Sequence, residues 1–482
     1  MKKVLAIDMG ATSIRGIVGY VENGTLRLEE VMRLSHSIID KDGRRYWEWE
    51  KLISTIEETV LKCDEEIVSI GVDTWGVDFG LLNENEELIQ PPLSYRDESN
   101  GIGYEEVKKK MDFYQLYRKT GNQIMNINSL FQLMTMKKLQ PEVLDKAKTL
   151  LMMPDLVNFY LTGEKVGEKT ICSTTQMFNL KDGEWNQEVL KELGFDKGIF
   201  PEIIENKRVI GNTKNAKKPK LRKKEIDVIS VASHDTASAV AITKAYGDSN
   251  TLFLSSGTWS LLGCYTEEPV LTQEAFTFNL TNETGYNGRN MFFQNVTGLY
   301  LIEKLIRELE EREGKRYSYE EITAMVKNTK PFKAIIDIQE EIFGQETESF
   351  IGDVEDYLIK TGQEVLARKT DYFSVIYESM VLYYKKLVDY LQNVTGRTFK
   401  RIHIIGGGSQ SDLLCQLIAD GLHLEVVAGP KEATAIGNIL AQLERIYKPE
   451  EKEMLLEAID KANELTTYFP RNWDQWKEIK GL

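Results

Sequence analysis

An α/β fold built twice is what this sequence predicts, on three observations. Short apolar strands alternate with glycine-bearing turns and amphipathic helices along most of the chain, the alternation that builds sheets covered by helices. A strand–Gly–Thr–strand device at Asp8-Met9-Gly10-Ala11-Thr12 recurs at Ser255-Ser256-Gly257-Thr258, half a chain later, and self-similarity at a fixed spacing signals internal duplication. A length of 482 residues suits two large domains, or three at ~150 residues each. The duplication sets the expected division at 1–244 and 245–482.

The first strand is the apolar run Val4-Leu5-Ala6-Ile7. After the Gly10-Ala11-Thr12 turn a second strand covers 13–21, and Asn23-Gly24 marks a hairpin into a third over 26–34. Leu52, Ile56 and Val60 recur every four positions and predict a helix over 49–61. A buried strand over 67–72 runs into Asp73-Thr74-Trp75-Gly76, and the stretch 104–193 reads as mainly helical. A strand over 226–232 leads to Ser233-His234-Asp235 and a helix of small residues over 236–242. The second copy of the device has strands over 251–254 and 259–262. A long helix over 372–392 follows, then a strand over 402–405, the turn Gly406-Gly407-Gly408-Ser409 and a helix to 419. A strand over 424–427 and a helix from about 432 complete the pattern.

Composition excludes several functions. A net charge of −15 repels phosphate polymers and anionic membranes. The segment 214–224 holds seven basic residues in eleven, but no aromatic ring interleaves them, so it reads as a solvated loop. Cys63, Cys172, Cys264 and Cys415 lack CxxC spacing, which fits reduced thiols and a cytoplasmic address. The four histidines lack ligand spacing, which argues against a zinc site. The apolar stretch at 4–7 is too short for a signal peptide, and no run approaches ~18 apolar residues. Small molecules remain as partners, with neither nucleic acid nor membrane. Trp47 and Trp49 read as core residues.

Three glycine turns carry the first chemical signal: Gly10 to Ser13, Gly257-Thr258, and Gly406 to Ser409. Without a Cβ the backbone approaches an anion closely, and outward N–H groups cradle phosphate. None of the three is a GxxxxGK[ST] or GxGxxG pattern, so neither a P-loop nor a dinucleotide fingerprint is present. Asp8, at the end of the first strand, suits either a Mg²⁺ ligand beside nucleotide phosphates or a turn cap bonded to its own backbone. The contiguous Ser233-His234-Asp235 is a poor hydrolase triad, because triad members come from distant chain positions. Asp235 alone stands where open α/β sheets place ligands, and its carboxylate can accept a hydroxyl proton while also capping a helix.

Five strings carry a family resemblance: Asp73-Thr74-Trp75-Gly76-Val77-Asp78-Phe79, Tyr95-Arg96-Asp97, Ser233 to Val240, Ser255-Ser256-Gly257-Thr258-Trp259-Ser260 and Ala428 to Thr434. In their order along the chain they resemble the FGGY carbohydrate kinases. The resemblance implies two ribonuclease-H-like domains of the actin and hexokinase type, with ATP and sugar in an interdomain cleft. It implies transfer of the γ-phosphoryl of MgATP to the 1-hydroxyl of a ketose, L-rhamnulose first, with L-fuculose or xylulose as alternatives. From another class, a non-enzymatic ATP-switched protein of the actin type competes. By the same resemblance Ala11, Thr12, Ser13, Ile14 and Arg15 hold nucleotide phosphates, as does Thr258; Gly407 lies in the adenosine turn. Gly76, His234, Asp235, Thr236 and Asn295 match sugar contacts, with Asp235 the proton acceptor; Asp8 as the Mg²⁺ ligand rests on its place at the strand end. Sugar, first phosphate turn and base fall to the N-terminal domain, and nucleotide binding to the C-terminal one. Two positions depart from the pattern: Ile14 stands where a second Gly is common, and Glu303 where a Gln nucleotide contact is expected. Arg96 is a further specificity candidate, or a partner for Asp97.

Overall fold

The computed structural model describes residues 2–63, 66–345 and 347–479. The chain forms two compact units. One joins Met1–Ile242, Thr266–Phe292 and Ala433–Asn463; the other joins Thr243–Tyr265, Phe293–Glu432 and Glu464–Leu482.

The first unit is built on strands β1 (Lys3–Met9), β2 (Ser13–Glu22), β3 (Thr25–Ser35), β4 (Ile67–Thr74), β5 (Val209–Asn212) and β6 (Asp227–Ile229), in the order β5-β6-β4-β1-β2-β3. β1, β2 and β3 are antiparallel neighbours, whereas β4 and β6 run parallel to β1. Helix Trp49–Lys62 buries Leu52, Ile56 and Val60 against Leu5, Ile7 and Ile70 of the sheet, as the four-residue spacing requires. Trp47 and Trp49 belong to this core. A second cluster joins the helical stretch to the paired strands Phe79–Leu82 and Thr149–Met152, around Phe79, Leu116, Phe131, Leu150 and Leu190.

The second unit repeats the scheme. Its strands β7 (Thr251–Ser256), β8 (Trp259–Thr266), β9 (Asn290–Thr297), β10 (Arg401–Ile405), β11 (Glu425–Ala428) and β12 (Thr466–Tyr468) take the order β9-β8-β7-β10-β11-β12. β8 is antiparallel to β7, while β10 and β11 continue parallel on its other side. This is the expected ribonuclease-H-like arrangement, present twice. Helix Lys369–Thr395 covers the predicted 372–392 and ends at Gly396, whose φ of 65° is the left-handed turn that stops helices without steric cost.

Two expectations shift. The strand foreseen over 226–232 is paired only over Asp227–Ile229. Beyond it the chain's polar groups go to other partners, with Ser233 N–H donating to Glu168 Oε2 and Ser233 O accepting from Thr74 N–H. The basic segment wraps as two short 3-10 turns around buried Leu221, with Lys217 on Glu86 and Lys218 near Glu50. All four cysteines are buried thiols outside any disulfide among the described residues. Among the described residues no helix is long and apolar enough to cross a membrane.

Candidate active site

In the first unit the carboxyl ends of β1 and β4, with the loop after β6, converge on one place. Parallel register sets Asp8 beside Asp73, and a bridge pairs Thr74 with His234. Asp235 therefore follows directly, opening helix Asp235–Ala241. The helix cap is His234 rather than Asp235; the Asp235 carboxylate instead accepts from Thr236 N–H at 2.5 Å and lies near Thr236 Oγ1. Its side chain keeps 29% of its exposure, which leaves it open to a ligand. Helix Ala433–Ile446 packs so closely on this helix that a Cβ at Gly437 would sit 1.9 Å from Ser238 O. Gly437 is thus required by backbone contact.

Asp8 engages the neighbouring strand. Antiparallel register sets Arg15 opposite it, and their side chains form an ion pair. Asp73 stands in the sequence only as the first residue of a string, with no local signal of a role of its own. In the fold its Oδ2 accepts from Asn438 Nδ2 at 2.6 Å, while Oδ1, fully buried, has no hydrogen-bond partner among the described residues. Burial raises its pKa well above the usual carboxylate value, and the Asp8 charge adds to this. Asn438 and Gln442 form a buried polar stripe on helix Ala433–Ile446, with Gln442 bonding Leu5 O and Ser69 Oγ. Gly71 makes room, since a Cβ there would lie 2.5 Å from Asn438 Oδ1.

Ser233 and His234 are fixed from below by a buried acid. Glu168 Oε2 accepts from Thr170 N–H, Thr170 Oγ1, Ile171 N–H and Ser233 N–H, and Thr170 Oγ1 in turn accepts from His234 N–H. Burial pushes the Glu168 carboxyl up to about 7. Burial alone lowers the His234 pKa, but its bond to Glu283 and the charges of Glu283, Asp235 and Glu168 outweigh this and raise it. Enclosure raises Asp235, and the neighbouring His234 opposes that rise.

Gly76 and Val77 form a strained turn beside this centre. Val77 holds a φ of 68°, costly for a β-branched residue and sustained only where neighbours over-determine it. Val77 N–H donates to Thr174 Oγ1, and Val77 O accepts from Ser129 Oγ and Gln132 Nε2. Asp78 is fully buried and accepts from Trp47, Trp75, Gln132 and the Tyr95 backbone; burial pushes it up to about 6. Trp75 is thereby a core residue, its ring tilted by 40° against that of Trp47 with centroids 4.3 Å apart. Arg96 does not pair with Asp97. Arg44 and the Arg45 backbone take that buried carboxylate, and Arg96 Nε donates to Tyr95 Oη.

In the second unit two of the three glycine turns lie side by side, because β7 and β10 are parallel neighbours. Gly406 has a φ of 78°, and a Cβ there would meet Ser256 O at 2.8 Å; at Gly408 it would meet Ser256 Oγ at 2.1 Å. At Gly407, between them, it would meet nothing closer than Ser256 O at 3.9 Å. Thr258 lies in the β7–β8 turn and Asn295 on β9, both in this unit. Glu303 is engaged by Arg316 at 2.8 Å and by Tyr319 Oη at 2.8 Å. The guanidinium compensates its charge.

Comparison with known proteins gives the class to which this doubled fold belongs, the carbohydrate kinases. Residues 3–241 match the N-terminal domain and residues 252–444 the C-terminal domain of the FGGY family of carbohydrate kinases. The chain belongs to that family; it is a sugar kinase, with ATP the co-substrate the family implies. Within it, the chain is 34% identical over 470 residues to a rhamnulokinase of Oceanobacillus iheyensis, covering 96% of this chain and 97% of that protein. It is 37% identical over 445 residues to a rhamnulokinase of Halalkalibacterium halodurans, covering 92% and 93%. A ligand-bound xylulose kinase of Lactobacillus acidophilus superposes with a TM-score of 0.78 at 18% identity, covering 99% and 96%. That likeness describes the fold.

Proposed function

We propose that this chain transfers the γ-phosphoryl of ATP to the 1-hydroxyl of L-rhamnulose, giving L-rhamnulose 1-phosphate and ADP. Full-length similarity to proteins named rhamnulokinase carries the choice of sugar. The partly exposed Asp235 carboxylate beside buried His234 supports the chemistry. The substrate oxygen attacks the γ-phosphorus, the bond to the β-phosphate oxygen breaks, and the hydroxyl proton passes to Asp235. Gly76, His234, Thr236 and Asn295 are the proposed sugar contacts. Ala11, Thr12, Ser13, Ile14 and Arg15 in the first unit, with Thr258, Glu303 and Gly407 in the second, are the proposed nucleotide contacts. The base and every proposed sugar contact except Asn295 fall within 1–244, as do the nucleotide contacts at 11–15, whereas Asn295, Thr258, Glu303 and Gly407 fall within 245–482.

A magnesium ion fits this reading. Among the described residues no cluster of three or more His, Cys, Asp or Glu side chains is arranged to hold a metal. Mg²⁺, however, needs only one or two carboxylates beside phosphates and water. Asp8 offers one, with the unpartnered Asp73 Oδ1 next to it. When bound, the ion would neutralise phosphate charge.

Sugar identity rests on hydroxyl recognition, because a site whose buried polar groups match one stereochemistry leaves them unpaired with another. Coupled ADP-release assays on a ketose panel should give L-rhamnulose at least about tenfold higher kcat/KM than D-xylulose or glycerol. A preference for xylulose or L-fuculose would move the chain to that branch of the family.

A further inference from the structure

We infer that Glu283 is the positioning residue of the proton-accepting centre: its carboxylate holds the His234 imidazole at Nδ1 so that Nε2 faces Asp235. The inference rests on Asp235 being the base.

His234 Nδ1 lies 3.2 Å from Glu283 Oε2, and His234 Nε2 lies 3.5 Å from Asp235 Oδ1. The His234 and Glu283 side chains are 9% and 8% exposed, and among the described residues neither Nδ1 nor Oε2 accepts or donates an aligned hydrogen bond, so the 3.2 Å ion pair is the contact each has. Glu283 reaches this place on strand Thr281–Thr284, which is tied down on both sides. Asn282 N–H and Nδ2 donate to Gly121 O, Asn282 Oδ1 accepts from Val270 N–H, and Thr284 N–H donates to Ser173 Oγ. The imidazole is thus gripped between an acid on a fixed strand and the acid that faces substrate.

The electrostatics select one protonation state. A buried carboxylate is costly unless a charge or several donors meet it. With Nδ1–H directed at Glu283, a neutral imidazole would turn its Nε2 lone pair toward the Asp235 carboxylate. A protonated one presents N–H to both acids. The imidazolium stabilises ionised Asp235, which must be ionised to take a proton from the sugar. It keeps both of its own protons throughout, so no relay is needed. The other groups that face the pair are Glu168, below His234, and Asp73 and Tyr95, which act on Asp235. Each carboxylate among them opposes ionisation of Asp235, so His234 is the compensating cation.

The test combines histidine ¹⁵N spectra with the pH profile of kcat/KM. Glu283→Gln keeps an acceptor for Nδ1–H but removes the charge. It should lower the His234 titration midpoint and move the acid limb of kcat/KM to higher pH. Below that limb the rate should fall about tenfold for each pH unit that the limb moves, with ATP affinity unchanged. Glu283→Asp should return the limb part of the way. A wild-type acid limb and an unmoved His234 midpoint in Glu283→Gln would overturn the inference. If that variant fails to fold, the wild-type spectrum decides: His234 must titrate above an ordinary histidine, and a midpoint at or below that value overturns it. Asp235→Asn, assayed in parallel, separates the two readings. Near-normal turnover there defeats the base assignment, whereas its collapse beside an unmoved Glu283→Gln defeats only the role of Glu283.

Discussion

The turn between β1 and β2 in the first unit is bracketed by charge, with Asp8 and Arg15 opposed in register and Asp73 alongside. The corresponding turn between β7 and β8 in the second carries Ser256, Gly257 and Thr258 and packs against Gly406 and Gly408. One strand scheme underlies both, so the scaffold does not set the chemistry; side chains at the strand ends do. Carboxylates suit the first unit to taking a proton and meeting a cation. Hydroxyls and backbone N–H groups at its turn suit the second to meeting phosphate.

The largest break in that comparison is Asp235→Asn. A positioned carboxylate contributes roughly 10²–10⁴-fold through general-base catalysis. Steady-state kinetics should show kcat reduced by about that factor, with ATP still bound.

Next comes a buried acid of the second unit. Burial raises Glu378 to about 7 from its ordinary 4.5, although Phe332 N–H and Ser374 Oγ both donate to it at 2.8 Å. The folded state therefore holds this proton after the unfolded chain has lost it. Stability falls as pH rises from about 4.5 to about 7, and levels off above. Denaturant titrations should show Glu378→Gln gaining on the wild type across that window, by at most about 3 kcal/mol, and matching it near pH 4.

A third, smaller effect separates the glycine turns. Gly408→Ala drives a Cβ into Ser256 and should cost about 1–3 kcal/mol in thermal or chemical unfolding. Gly257→Ala meets nothing closer than 3.7 Å and should leave stability within about 0.5 kcal/mol. Equal losses at the two positions would remove the distinction between a packed turn and an open one.

The smallest effect belongs to the exposed pair of Glu303 and Arg316. Arg316→Ala should change stability by no more than about 1 kcal/mol. It should nevertheless raise the KM for ATP, because the Glu303 charge is then uncompensated near the proposed nucleotide contacts.

The sequence by itself determined the architecture and the family. Apolar runs of strand length, Asn23-Gly24, the four-residue spacing of Leu52, Ile56 and Val60, and the repeated Gly–Thr device are local signals, written within a few residues of where they act. The candidate site was legible as residue names, through strings such as Asp73 to Phe79 and Ser233 to Val240. Its partners were not. Asp73 meets Asn438 across 365 positions, His234 meets Glu283 from a strand beyond the expected division, and Asp97 is claimed by Arg44 rather than by adjacent Arg96. Spacing along the chain reports which face of a helix or strand a side chain occupies. Which buried acid meets which base is set by strand register and helix packing, because burying a charge is tolerable only where distant segments bring its partner within hydrogen-bond reach. Tertiary structure alone decided that.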